Sequence, residues 1–304
     1  MKKNIEPKLK IELSALSKQN LGEVWNFLKK HEKTSIALFS HLIENNKACL
    51  PKEQFRYFLV YQNNEKTKKL LAVFMISKSG LIFHQFADNL KILEDADIAP
   101  FEDILKNKNI YSIIGKKEGT EFFQNLILKI QALAPRTEYL YHYLRYNKNE
   151  KKTEGRTFPL EYAKLLKWNT IDDLDALSPL QALYDQQEVI PPFKDFDPVL
   201  SKANLKRLLL TQKMLSLQKD GFYIAKAGTN AIGYNWVQIG GVCTKTDERN
   251  RGYAQFLVQS LISYFQKNEK KQVALFVKEN NESAKKAYYN LGFVFDSYFK
   301  IVYY

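Results

Sequence analysis

The chain has 304 residues, of which 45% are hydrophobic, and a formal net charge of +13 at pH 7. This length and apolar content suffice for two domains with separate cores. No apolar run reaches the roughly 18–20 residues of a membrane-spanning helix, and no signal peptide is expected. The two cysteines and four histidines lack metal-ligand spacing, which argues against a metal site and favours a reducing, cytoplasmic location. The positive charge is spread evenly, which suits an anionic small ligand better than nucleic acid.

The N-terminal half is predicted to mix short helices with strands. Asn20-Leu21-Gly22-Glu23 is a candidate capping box that would open a helix reaching about residue 32. Hydrophobic patterns and turn residues predict the remaining elements. They are a helix near 35–44, strands at 55–62, 70–77 and 81–87, a helix near 100–106, a strand at 110–114, a helix over 119–132 and a strand at 138–146.

A polar segment at 147–156 predicts the boundary between two domains, 1–148 and 157–304. Beyond it, the sequence predicts a strand at 158–167, a helix N-cap at Thr170, and a second short helix opened by Ser178-Pro179. The Asp220-Gly221 turn indicates a hairpin. The further elements expected are a helix at 204–210, strands at 214–218, 222–227 and 236–244, a helix at 252–267, a strand at 272–277, a helix at 283–290 and a final apolar hairpin.

The most informative segment is the basic turn Arg249-Asn250-Arg251-Gly252-Tyr253-Ala254, which follows an apolar strand and opens an amphipathic helix. The apolar residues after Ala254 recur at helical offsets. At a helix N-terminus the first backbone N–H groups lack partners and the dipole is positive, so the turn suits a phosphate or pyrophosphate. Gly252 would let the backbone approach such a ligand closely, and Arg249 and Arg251 add positive charge.

This turn resembles the coenzyme A pyrophosphate loop of GNAT-type acetyltransferases, whose usual form is Gln/Arg-x-x-Gly-x-Gly/Ala. The downstream residues Asn281, Ala284 and Tyr288, with Gly292-Phe293, match the next segment of that family in order and spacing. The resemblance covers about 150 residues and extends to a bacterial group of two-domain predicted acetyltransferases. It implies an α/β (α+β) chain whose C-terminal domain has a mixed, mostly antiparallel sheet flanked by helices. The N-terminal domain is then expected to be a degenerate GNAT-like copy, or else an unrelated α/β domain.

The resemblance implies an N-acetyltransferase that uses acetyl-CoA as co-substrate and acts on a primary amine of unknown identity. Backbone N–H groups of the coenzyme strand, here Val242–Thr244, would stabilise the oxyanion, and Tyr288 would protonate the departing thiolate. The run 184–188 resembles the family's short acceptor-side helix, and within it Glu188 is the candidate general base. The implied coenzyme-binding residues are Val242, Cys243, Thr244, Arg249, Asn250, Arg251, Gly252, Tyr253, Ala254, Asn281, Ala284 and Tyr288.

Several of these residues also have a purely structural interpretation. Tyr288 could be a core aromatic, Asn281 could cap the helix that follows it, and Cys243 could be a packing residue. Tyr289 is expected to pack, and the histidines are expected to be non-catalytic.

Two other functions compete with acetyl transfer. One is a Fem-like aminoacyl-tRNA-dependent transferase, against which the intact turn argues. The other is a non-catalytic acyl-CoA sensor, against which Tyr288 argues. In the N-terminal half Glu94, Asp95 and Asp97 stand where the phosphate turn would be, and these acids would repel a pyrophosphate. The sequence therefore predicts one coenzyme per chain.

Overall fold

A computed structural model describes residues 10–47, 55–64, 67–87, 98–150 and 158–304. Three features singled out in the sequence lie outside these described residues: Cys49, the acids Glu94, Asp95 and Asp97, and residues 151–156 of the expected linker. Among the described helices, none combines the length and the apolar character that crossing a lipid bilayer requires.

The chain divides into two compact units. The first contains Met1–Leu140 together with Tyr298–Tyr304, and the second contains Tyr141–Ser297. The division expected from the sequence, 1–148 and 157–304, keeps residues 141–148 in the first domain and places the whole C-terminal end in the second, and it differs from the two units at both points. The pairings of two strands, described below, account for these differences.

The first unit is built from strands with helices between them. Its elements in chain order are β1 (Ile11–Ala15), α1 (Leu21–Lys30), α2 (Ile36–Lys47), β2 (Phe55–Asn64), β3 (Thr67–Ser77), β4 (Leu81–Phe86), α3 (Ala99–Leu105), β5 (Ser112–Lys116) and α4 (Lys117–Gln131). Strands β1 to β4 are antiparallel neighbours, and β5 lies parallel to β4. All the helices and strands predicted for this half are present, whereas β1 was not predicted. The predicted capping box does not form. The side-chain oxygen of Asn20 accepts a hydrogen bond from the N–H of Ser17, which precedes the helix, instead of from an N–H of its first turn.

The second unit has a mixed, mostly antiparallel sheet flanked by helices, as the sequence predicted. Its elements are α5 (Leu160–Leu165), β7 (Leu166–Trp168), α6 (Leu174–Tyr184), α7 (Pro198–Thr211), β8 (Met214–Lys219), β9 (Phe222–Ile232), β10 (Trp236–Thr244), α8 (Tyr253–Tyr264), β11 (Gln272–Lys278) and α9 (Glu282–Asn290). Strands β10 and β11 are parallel, and the other pairs from β7 to β10 are antiparallel. The apolar face of α8 packs on β8, β9 and β10, and its residues Leu257 and Leu261 share one buried cluster with Leu217 and Ile239.

Two strands, β6 (Thr137–Tyr146) and β12 (Phe293–Tyr303), each contribute residues to both units. In the second unit, Tyr141–Arg145 of β6 pair antiparallel with Lys278–Ala274 of β11. In the first unit, Phe299–Tyr303 of β12 pair antiparallel with Lys116–Ser112 of β5. Val302 and Tyr304 join the apolar core of the first unit. The end of the chain therefore completes the sheet of the first unit.

Three predicted elements of the C-terminal half are wrong. Residues 158–167 form helix α5 and the start of β7 rather than one strand, because Tyr162 is held by two ring contacts with α8, to Tyr253 and Phe256. Ser178 does not open a helix but lies inside α6, where its hydroxyl donates to the Leu174 carbonyl at 2.7 Å. The expected final hairpin is the single strand β12. By contrast, the predicted cap at Thr170 is confirmed, with Asp173 completing a capping box.

Candidate functional site

The second half of β10 leaves the ladder that its first half makes with β11. The parallel pairing runs from Trp236↔Gln272 to Ile239↔Leu275, whereas β10 continues to Thr244. On its other side β10 stays paired with β9, with a register shift between Gly240 and Cys243. Beyond Ile239, the side of β10 that faced β11 makes no ladder hydrogen bonds with β11.

Both positions of the bulge are glycines. A Cβ on Gly240 would meet the exposed side chain of Asn230 and displace it. Gly241 has φ +61°, a left-handed conformation that other residues adopt at a cost. The glycine at 241 therefore favours the bulge.

The basic turn that follows β10 opens α8 with an uncapped N-terminus. Asn250 and Gly252 have positive φ values of +64° and +86°, and Gly252 is the N-cap residue of α8. Because glycine supplies no capping side chain, the N–H groups of the first helical turn stay available to a ligand. The structure thus gives the turn the geometry of an anion-binding helix N-terminus.

The two arginines of the turn are tied to neighbouring groups. Arg249 donates to the Thr244 carbonyl at 3.2 Å and to Oε1 of Gln187 at 2.6 Å. Arg251 forms an ion pair of 3.0 Å with Glu248, and Lys219 forms a second ion pair with the same carboxylate at 3.3 Å. The Arg249–Gln187 bond connects the turn to the segment 185–189, which carries Glu188.

Helix α5 contacts the turn 249–254 through Tyr162. The Tyr162 hydroxyl donates to the Arg251 carbonyl at 2.7 Å, and its ring meets that of the buried Tyr253 edge to face, with centroids 4.8 Å apart. Sequence reasoning missed this support because it assigned residues 158–167 to a strand. The signal that could have found it is the helical spacing of Phe158, Tyr162 and Leu165.

Of the downstream motif, Asn281 caps α9. Its Oδ1 accepts a hydrogen bond of 3.0 Å from the Ala284 N–H, which is the capping alternative considered from the sequence. This bond fixes the start of the helix that carries Tyr288.

Tyr288 lies on α9 and is 8% exposed. Burial, and secondly the charge of Glu188, raise the pKa of its hydroxyl, so it keeps its proton at neutral pH. No group among the described residues hydrogen-bonds this hydroxyl, and its ring packs edge to face on Phe293. The adjacent Tyr289 instead has its hydroxyl 3.4 Å from Nδ1 of His142 and packs against the core. The two tyrosines thus differ. The Tyr289 hydroxyl contacts His142, whereas the Tyr288 hydroxyl makes no hydrogen bond within the described residues.

Glu188 lies in the π-helical turn Asp185–Val189 that extends α6. Its carboxylate forms an ion pair of 3.1 Å with Lys278 at the end of β11. The Glu188 charge also contributes to the raised pKa values of Tyr184 and Cys243. The structure therefore places Tyr288 and Cys243, a residue of β10, within reach of the Glu188 charge.

Cys243 is a buried thiol on β10, with Val242 and Thr244 partly buried on either side of it. Burial raises the pKa of this thiol, whereas a nucleophilic cysteine needs a lowered value. The packing interpretation of Cys243 is thus the one that its surroundings favour. Paired with Cys243 across the β9–β10 ladder is Lys226, a buried lysine to which sequence reasoning gave no role.

The histidines of the described residues show no catalytic arrangement. His84 lies in the first unit, fully enclosed, and burial lowers its pKa to about 3. His142 has its pKa lowered by burial and by Lys285. Within the described residues, no three His, Cys, Asp or Glu side chains come together as a possible metal site.

Comparison with known proteins agrees with this architecture. Residues 225–300, which include β10, the turn and α9, match the family model described as FR47-like protein. No curated protein sequence matches the chain significantly.

Three solved structures are similar over nearly the whole chain. A Drosophila protein has a TM-score of 0.63 at 12% identity and covers 98% of this chain and 99% of its own. A tandem GNAT protein from the clavulanic acid biosynthesis pathway has a TM-score of 0.60 at 8% identity, covering 96% and 98%. A GNAT-family acetyltransferase from Colwellia psychrerythraea has a TM-score of 0.51 at 10% identity, covering 96% and 100%. At these identities the likeness establishes the fold. Together with the family match over residues 225–300, it confirms the GNAT-type fold expected from the sequence and the two-domain arrangement.

Proposed function

We propose that this GNAT-superfamily chain is an acetyl-CoA-dependent N-acetyltransferase that acts on a primary amine and has its active site in the second unit. The observation that carries the proposal is the turn Arg249–Ala254. It places a left-handed glycine and an uncapped helix N-terminus directly after a strand that has left its ladder. The turn offers unpaired donors to an anion, and the freed edge of β10 offers donors to an extended amide chain.

Coenzyme A fits both features chemically. Its pyrophosphate would accept hydrogen bonds from the backbone N–H groups of Arg251–Ala254, and Gly252 has no Cβ to hinder this approach. Its pantetheine amides would pair with the backbone of Val242–Thr244, along the edge of β10 that β11 no longer covers. Asn281 and Ala284 would contribute through the start of α9, where the side-chain oxygen of Asn281 already caps the helix.

The transfer requires a neutral acceptor amine. A lysine-like amine at pH 7 must lose a proton against roughly 3.4 pKa units, which costs about 4.6 kcal/mol. We assign this role to Glu188, acting directly or through water, because its carboxylate lies in the neighbourhood of Tyr288 and the coenzyme strand. Lys278 holds the carboxylate in place.

Departure of coenzyme A requires a proton for its thiolate. We assign this donor role to Tyr288, whose hydroxyl has no hydrogen-bond partner among the described residues and whose raised pKa keeps it protonated. Backbone N–H groups of Val242–Thr244 would stabilise the developing oxyanion.

The test uses the full-length protein. Titration calorimetry with acetyl-CoA is expected to give one site per chain, because the turn motif occurs once. A thiol-release screen over pooled amino acids, polyamines, amine drugs and peptides is then expected to show turnover with at least one pool. Binding without turnover would favour the sensor, and consumption of aminoacyl-tRNA without acetyl-CoA binding would favour the Fem-like transferase. Either result would contradict the proposal, and two equivalent sites would contradict the assignment of the N-terminal half as a coenzyme-free partner.

A further inference from the structure

Lys226 is completely buried on β9, opposite the bulge of β10. Its ammonium donates a hydrogen bond of 3.0 Å to the Gly241 carbonyl and lies 4.7 Å from the centroid of the Tyr184 ring. Within the described residues no carboxylate lies within ion-pair distance of it. A fully buried lysine usually has such a partner, so its retention at this position calls for a specific explanation.

The bulge residue Gly241 lies between Lys226 and Tyr184. Its carbonyl accepts a hydrogen bond from Lys226, and its backbone lies close enough to the Tyr184 hydroxyl to lower the pKa of that group slightly against the effect of burial. The Lys226 ammonium also lies over the Tyr184 ring, so the three residues support one another. This contact fixes a glycine that is in the left-handed region and has few constraints of its own.

The geometry of the peptide group links this contact to Val242. The Gly241 carbonyl and the Val242 N–H belong to the same planar trans peptide unit, and they point in opposite directions. When Lys226 fixes the direction of the carbonyl, it therefore directs the Val242 N–H away from itself. A cationic donor on the carbonyl also polarises the peptide and strengthens its N–H as a donor.

We propose that Lys226 is a positioning residue for acyl transfer: it orients and polarises the Gly241–Val242 peptide so that the Val242 N–H binds the carbonyl oxygen of the thioester. This inference rests on the proposed function. Lys226 acts through the backbone and touches neither substrate. Burial lowers the pKa of Lys226 to about 8, so a protonated ammonium is held at a cost in stability. A group that served stability alone would be better replaced by an apolar side chain of the same shape.

The test compares Lys226→Met with Lys271→Met in the full-length protein. Lys271 is a matched control because it too donates to backbone carbonyls of the second unit, those of Gly233 and Tyr234 at 2.8 Å, but away from the bulge. Lys226→Met is expected to lower kcat about ten- to a hundredfold, a fraction of the loss seen when an oxyanion donor is removed. It should also abolish any preference for acetyl-CoA over coenzyme A in calorimetry, while Tm stays equal or rises. Lys271→Met should leave kcat and this preference unchanged.

Two results would overturn the inference. One is a Lys226→Met protein with the kcat and ligand preference of the wild type. The other is an equal loss of affinity for both ligands with a lower Tm, since that marks a merely structural residue. If the variant does not fold, ¹⁵N-valine labelling of the wild type decides: the Val242 amide must shift more with acetyl-CoA than with coenzyme A. A wild type that binds neither ligand would instead refute the proposed function.

Discussion

The carboxylate of Glu188 lies 3.1 Å from the ammonium of Lys278. This ion pair connects the π-helical turn after α6 to the end of β11. Because β11 diverges from β10 beyond Leu275, this ion pair lies at the end of the sheet where the two strands have parted. The best base candidate is thus held by a salt bridge at the open end of the parallel strand pair.

Glu188→Gln is expected to lower kcat about ten- to a thousandfold, since the amide keeps the shape of the side chain but cannot take a proton from the acceptor amine. Acetyl-CoA affinity by calorimetry should change little. Asp220→Asn, which removes a carboxylate from an exposed hairpin turn, is the control. A Glu188→Gln protein with the full rate would remove Glu188 from the mechanism.

Tyr288→Phe is expected to cut turnover about ten- to a thousandfold, because the departing thiolate loses its proton donor. The ring and its contact with Phe293 are retained, so acetyl-CoA affinity should stay close to that of the wild type. Tyr289→Phe, which removes a hydroxyl engaged with His142, should be nearly silent. Equal losses of rate and affinity in Tyr288→Phe would identify a packing residue.

Gly252→Asp is expected to abolish acetyl-CoA binding, because it introduces a side chain and a negative charge beside the proposed pyrophosphate site. Its matched control is Gly221→Asp. Gly221 is a left-handed glycine at φ +82° in an exposed turn, with nothing within 4 Å of an added Cβ, so the control shares the backbone strain and the charge. Calorimetry that finds unchanged affinity in Gly252→Asp would refute the coenzyme assignment.

The lowered pKa of Lys226 makes a prediction for stability. Its folded-state value is about 8, below the ordinary value of 10.5. Below pH 8 both states are protonated and the penalty of burying the charge is fully present. Between pH 8 and 10.5 the unfolded chain keeps a proton that the folded chain has released, so this group's contribution to the unfolding free energy rises with pH. A shift of this size corresponds to about 3 kcal/mol.

Other groups near Lys226 titrate in the opposite sense. Burial raises the pKa of Cys243 and of Tyr184, so their contributions to stability fall as the pH rises above their unfolded values. Urea unfolding of the wild type and of Lys226→Met at pH 7.5, 9 and 10 separates the contribution of Lys226 to the unfolding free energy from those of Cys243 and Tyr184. Any stability advantage of the variant should shrink as the pH rises, and a constant difference would contradict the assigned pKa.

The position of the turn 249–254 at the start of a helix could be predicted from the sequence because the pattern that sets it is local. The features that define it lie within a few residues of one another: Arg249, Arg251, Gly252 and the helical spacing of apolar residues after Ala254. Such a local pattern can be read directly from the sequence. The strand Trp236–Thr244 and the helix Glu282–Asn290 were predicted within one residue for the same reason.

The supports of the site could not be predicted, because they depend on contacts distant in sequence. Tyr162 reaches the Arg251 carbonyl across 89 positions, and Lys226 reaches Gly241 across a register that only the bulge sets. In the sequence, Lys226 is one charge inside an apolar strand, which is also what an exposed edge residue looks like. Burial distinguishes the two cases, and burial is a property of the fold.

The return of the last strand to the first unit has a consequence for how the protein folds. Phe299–Tyr303 pair with β5, so the N-terminal unit cannot complete its sheet until the whole of the second unit has left the ribosome. Closing so long a loop adds little to the equilibrium cost, because that entropy grows only with the logarithm of loop length, but such non-local pairing slows folding. Until then the edge of β5 is open to pairing with strands of other chains. Truncating the last seven residues should therefore cause aggregation through the half of the molecule made first, while the turn 249–254 itself stays intact.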